Sequence, residues 1–183
     1  MRKSSFILLV NVLVCIHGWA ADEFDTVKCG ADVPKAMVGS HSSNERVVVL
    51  EARHSNLGLK DLGGMEISDR LFLTSWRICG GEYAVLLDTE KRVVRDVLPV
   101  PAHSLLSPLS FVEKCQVARK ETHDAVIAIL DNSQGQKLKP SVEEIMLPAR
   151  TAWKIDGRQE RFVPMPIQGL SCAVNGSSVD LKQ

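Results

Sequence analysis

The sequence predicts a mainly β fold. It reads as a single small domain of about seven antiparallel strands, a sandwich or open barrel, with one or two short helices and disulfide staples. Three observations predict it. Short apolar runs rich in β-branched residues recur along the chain, separated by Gly, Asp and Pro turn residues. Long amphipathic helical patterns are missing, which argues against a parallel sheet with crossover helices. Four cysteines remain once the N-terminal leader is set aside, an even number that suggests two disulfides in an exported chain.

The leader is residues 1–20. Arg2 and Lys3 open it, an apolar run spans Phe6 to Ile16, and Gly18 and Ala20 stand where a signal peptidase reads small residues. Cleavage is expected after Ala20. The run is shorter than the roughly 20 residues of a membrane span, and Val14 before Cys15 is a poor lipoprotein signature. No later segment is apolar and long enough to insert stably, so the expectation is an exported chain, secreted or periplasmic. Losing Arg2 and Lys3 leaves 20 basic against 22 acidic residues, a net charge of −2. That balance gives no electrostatic reason to bind nucleic acid or anionic lipid. About 160 residues suffice for one hydrophobic core. The domain is expected over 21–174, with a flexible tail at 175–183.

Taken in order, Asp32 to Gly39 reads as a short helix: Asp32 caps it, Pro34 suits its first turn and Gly39 its end. Residues 40–45 are polar loop. Arg46 to Arg53 (RVVVLEAR) reads as a strand because of its valines. His54 to Glu66, with three glycines, reads as a loop of the kind that carries recognition. Leu71 to Cys79 is a strand, and Gly80-Gly81 turns it into a hairpin over 82–98. Prolines 99, 101 and 108 then predict an extended surface crossing over 99–112. Ala125 to Leu130 is a strand with a turn after it. Ser141 and Glu144 have capping-box spacing, which suggests a helical turn before Pro148. Thr151 to Asp156 and Glu160 to Val163 form the last hairpin through Asp156-Gly157. Residues 173–183 read as frayed.

Stretches 84–101, 126–140 and 152–166 all run from apolar residues through an Asp to a Pro. Their starts are unevenly spaced, so they are hairpin grammar, with Asp at turns for its backbone bonds, and not a repeat.

No catalytic residue, cofactor or metal site is assigned. His41, His54, His103 and His123 are dispersed, no GxSxG or phosphate loop occurs, and no CxxC pair marks a zinc site. Trp76 and Trp153 fall on strands and read as core. The expected disulfides use Cys79 with Cys115, closing the hairpin segment, and Cys29 with Cys172, tying the chain ends. Candidate partner-binding residues are Leu105, Leu106, Leu109 and Phe111, on the proline-rich crossing. The functional expectation is a non-enzymatic binding, inhibitory or envelope-associated protein whose partner is another secreted or envelope protein. The alternative is a secreted hydrolase that gathers His41 or His54 with Glu45, Glu66 or Asp69 from dispersed loops.

Overall fold

The computed structural model describes residues 21–101, 115–122, 124–131 and 144–175. Within them lie ten strands and two short helices. The strands are all antiparallel and make two sheets, so the mainly β expectation holds with more strands than the sequence suggested.

Helix α1 (Val33–Met37) forms as its caps dictate: the Asp32 side chain accepts the Lys35 N–H at 3.1 Å and Pro34 sits in the first turn. Gly39 follows at φ +86°, left-handed backbone that glycine adopts without cost. Helix α2 (Val47–Arg53) corrects the strand expected over Arg46–Arg53. β-Branching disfavours a helix by only a few tenths of a kcal/mol per residue, and tertiary contacts override it. Leu50 is buried while Val47 and Val48 stay exposed. The polar residues face two directions: Glu51 accepts the Asp61 N–H at 2.9 Å, and Arg53 reaches back to Asp22 at 2.8 Å.

The first sheet has order β1-β2-β3-β4, with β1 Lys60–Ser68, β2 Leu71–Ile78, β3 Gly81–Asp88 and β4 Val93–Val100. The β2–β3–β4 meander matches the sequence reading. Strand β1 does not: most of the expected loop 54–66 is edge strand. Its glycines are the chemistry of a bulged, tightly packed strand. Gly63 (φ +103°) lies at a bulge, and a Cβ on Gly64 would stand 2.6 Å from the Leu73 carbonyl oxygen.

The second sheet runs β6-β5-β10-β8-β7, with β9 also on β8. Its strands are β5 Cys115–Val117, β6 Lys120–Glu121, β7 Val126–Leu130, β8 Glu144–Asp156, β9 Arg161–Pro164 and β10 Leu170–Asn175. Residues 144–148, expected to hold the helical turn, belong to the 13-residue strand β8, and Ser141 lies outside the described residues. Pro148 closes the stretch paired with β10, and the stretch paired with β7 begins at Ala149. Residues 173–175, expected to fray, pair with β8.

Three apolar clusters hold the layers. Phe24, Met37, Leu50, Leu57, Trp76 and Ile78 join the N-terminal turn and helices to one face of the first sheet. Leu71, Leu73 and Leu86 on its other face meet Ile127, Ile155 and Phe162 of the second sheet, with Trp153 packed against them. Val126, Ala128, Leu147, Leu170 and the Cys115–Cys172 bridge fill the second sheet's remaining face. Trp76 is therefore core, as expected, and Trp153 is half-buried against the inter-sheet cluster.

The disulfides are Cys29–Cys79 and Cys115–Cys172, which overturns the expected Cys79–Cys115 and Cys29–Cys172 pairing. Cys79 follows β2 beside the N-terminal layer, where its N–H donates to Leu57 O at 2.7 Å. Cys115 and Cys172 face each other across the β5–β10 ladder, 4.0 Å apart at Cα. The first bond ties the N-terminal layer to the first sheet, the second lies within the second sheet, and neither ties the chain ends together.

Candidate functional site: a charged clasp and an inter-sheet cleft

The first polar cluster begins at the start of the described chain. Asp22, Glu23 and Phe24 are buried, in a turn whose Asp25 N–H donates to Asp22 O and whose Val27 N–H donates to Phe24 O. Asp22 Oδ1 accepts the Phe24 N–H at 2.8 Å, an Asx arrangement that Asp favours. Its Oδ2 accepts Arg53 Nη1 at 2.8 Å and lies 2.9 Å from His54 Nε2, two side chains delivered by the end of α2. Asp25 Oδ2 accepts the Asp22 N–H at 2.8 Å, and Glu23 Oε2 accepts the Ser43 N–H at 2.8 Å. Arg53 Nη2 pairs with Glu45. The Phe24 ring lies 5.5 Å from the His54 ring and 5.0 Å from Trp76, edge-on to the latter.

Burial pushes the Asp22 carboxyl upward. The bonds from His54, the Phe24 N–H and Arg53 outweigh it and hold the group below the usual Asp range. Glu23 goes the other way: burial raises it, against lowering bonds from the Ser43 N–H and its own N–H and lesser effects.

An Asp–His pair is half of a general-base device. Here the Asp22 side chain is fully buried, and the His54 ring is enclosed by Phe24 and the carboxylate it serves. Asp22, Asp25 and His54 also approach one another closely. The Arg53 guanidinium on Asp22 Oδ2 already supplies the positive charge that a cation would bring, so the cluster is an ion-pair staple. It anchors the N-terminal turn to α2.

The second cluster joins the sheets. Asp88 ends β3, fully buried; its carboxylate accepts the Lys91 N–H at 2.9 Å and Arg70 Nη2 at 3.3 Å. The Lys91 bond lowers its pKa most; burial opposes it and Arg70 assists. Glu160, in left-handed backbone at φ 52°, accepts Arg70 Nη2 at 2.9 Å and pairs with Arg95. Asp96 Oδ2 accepts the Phe162 N–H at 2.8 Å. Beside this network lies a cleft of about 350 Å³ lined by Ser68, Asp69, Arg70, Leu71, Gly157 and Glu160.

Of the residues named for a dispersed hydrolase site, His54 and Glu45 reach one cluster: His54 bonds Asp22, and Glu45 pairs with Arg53, which also bonds Asp22. His41 is exposed on a bridge to Val93, Glu66 is exposed on β1, and Asp69 lines the cleft without a histidine. The β1 edge, read as a recognition loop, has donors already occupied: Asp61 N–H by Glu51 and Gly63 N–H by Asp61 Oδ1 at 3.1 Å. Leu105, Leu106, Leu109, Phe111, His103 and His123 lie outside the described residues. Sequence reading passed over Asp22, Arg53, Arg70, Arg95 and Glu160. Only Asp88 carried a visible signal, as a turn residue.

No protein-family model matches the chain, and neither a curated protein nor a solved structure matches it.

Proposed function

We propose that this is an exported binding, inhibitory or envelope-associated protein without catalytic activity, whose partner is another exported protein. One observation carries the reading: the buried acids of the two polar clusters, Asp22 and Asp88, and Glu160 beside them are engaged by Arg53, His54 and Arg70 in pairs that hold layers together. A catalytic group needs access to a substrate proton, and the Asp22–His54 pair is buried, with the Phe24 ring packed beside His54. Two disulfides fit an oxidising, non-cytoplasmic compartment. Among the described residues no helix is long and apolar enough to cross a membrane.

The Asp22–His54 pair is also the one feature favouring a hydrolase. The test is therefore double. The mature protein is offered a panel of peptide, ester and glycoside substrates, while photo-crosslinkers at Leu109 and Asp69 are used to trap a partner in the native host. Crosslinks that purified protein competes away, with no turnover, support binding. Turnover lost in His54→Gln would replace this reading with the hydrolase.

A further inference from the structure

We propose that removal of residues 1–20 completes the fold as well as releasing the chain: the α-ammonium created on Ala21 is a stabilising counter-charge to the carboxylates of the N-terminal turn. The inference rests on the export reading above, and it adds a role for the new amine.

Two independent observations meet here. Small residues at Gly18 and Ala20 mark the bond before Ala21 for a signal peptidase. Directly after that bond Ala21 is exposed, and Asp22, Glu23 and Phe24 are buried. Hydrolysis breaks the Ala20–Ala21 amide. Water supplies the hydroxyl that makes the Ala20 carboxyl, the nitrogen leaves as the Ala21 amine, and at neutral pH it takes up a proton.

That proton arrives in negative surroundings. Asp22, Glu23 and Asp25 flank the amine on its own turn. The segment before α2 brings Glu45, and α2 brings Arg53 and His54. Four carboxylates thus face two groups that carry or can carry positive charge. The amine is also close. Successive backbone nitrogens lie at most about 3.7 Å apart, and the Asp22 nitrogen is 2.8 Å from Asp25 Oδ2. The two lengths place the ammonium no more than about 6.5 Å from that carboxylate. A unit charge pair at this distance changes an equilibrium about three-fold in water and more near a protein surface.

The sign of the pH dependence follows. Carboxylate neighbours raise the folded amine's pKa above the unfolded value of about 7.7. Its stabilisation is present below that value and is lost as pH rises through the folded one.

The test compares the chain beginning at Ala21 with the same chain acetylated selectively on its α-amine, and with one retaining residues 17–20. Urea unfolding is followed with disulfides intact. The free-amine chain should show an unfolding constant about three- to ten-fold smaller than either at pH 6.5, and the gap should close at pH 9.5 or above. In Asp25→Asn the gap should shrink; should that variant fail to fold, the acetylation comparison stands alone. Equal unfolding constants at pH 6.5 would overturn the proposal and leave export intact. An exported chain whose N-terminus maps elsewhere than Ala21 would overturn both.

Discussion

Asp22→Asn tests whether the N-terminal clasp is a staple. The Asp22 side chain is fully buried and bonds Arg53, His54 and the Phe24 N–H. Asparagine keeps the shape and one acceptor. Its amide group must then face two donors, the Arg53 guanidinium and His54 Nε2, where a carboxylate oxygen stood. Removing one partner of a buried ion pair costs about 3–5 kcal/mol. Arg53 keeps Glu45 as a second partner, which puts the expected loss nearer 2–4 kcal/mol. With an m-value of about 2 kcal/mol/M, the urea midpoint falls by about 1–2 M, and Tm by roughly 5–15 °C. The pH dependence separates charge from packing. The folded pKa of Asp22 lies below the unfolded value of about 3.9. Its stabilisation is therefore complete above that value and lost as pH falls through the lower folded one. Glu23 is shifted the opposite way, chiefly by burial, so it gains as pH falls in both proteins, somewhat less in the variant, which lacks the Asp22 charge that adds to the shift. The difference between the two proteins should thus narrow below about pH 4. A variant within about 0.5 kcal/mol of wild type at pH 7, or a gap unchanged down to pH 2, would refute the staple.

Non-reducing peptide mapping should recover Cys29 with Cys79 and Cys115 with Cys172; a Cys79–Cys115 peptide would contradict the layer arrangement. Replacing Cys115 and Cys172 together with Ala opens a loop of separation 57, and the chain-entropy relation puts the loss at about 4 kcal/mol, measurable by urea unfolding. Phe24→Ala removes a ring that is 1% exposed between His54 and Trp76; calorimetry should show a loss of about 3–5 kcal/mol. Gly64→Ala sets a Cβ 2.6 Å from the Leu73 carbonyl oxygen, so β1 must shift, at about 1–3 kcal/mol. A double-mutant cycle on Arg95→Ala and Glu160→Gln should give a coupling of at least about 0.5 kcal/mol if their pair locks the sheets, and additive losses would exclude that role.

Where local signals agreed, the fold was legible. Helix α1 carried its cap and its terminal glycine, and β2 to β4 combined apolar alternation with a Gly-Gly turn and the Asp88 corner. The Asp156-Gly157 dipeptide likewise marked the β8–β9 hairpin. Strand β1 and helix α2 were misread for one shared reason. Glycine and valine report backbone preferences worth under about 1 kcal/mol per residue, and neighbours distant in sequence supply more. Gly64 is in a strand because only a hydrogen fits against the Leu73 carbonyl. The valines of α2 are helical although two of them bury little, because the helix sets Leu50, Glu51 and Arg53 against three different parts of the fold.

The clasp itself was illegible for a different reason. Asp22 lies 31 residues from Arg53 and 32 from His54, and no short-range pattern links an acid at that position to the end of a later helix. The cysteines failed in the same manner. Chain entropy favours long loops only weakly, as a logarithm of length, so it cannot choose among three pairings. Sheet register chooses: Cys115 and Cys172 are direct ladder partners, and Cys79 leaves β2 on the side of the N-terminal layer. That choice has a consequence for the clasp. Because Cys29 is bonded to Cys79, the turn of residues 22–27 is tethered seven residues from Asp22 whether the ion pairs hold or not. Loosening the clasp should therefore open the turn locally and raise amide exchange at Phe24 and Val27, while β2–β4 stays protected. Equal loss of protection in both regions would mean that the turn and sheet unfold as one unit.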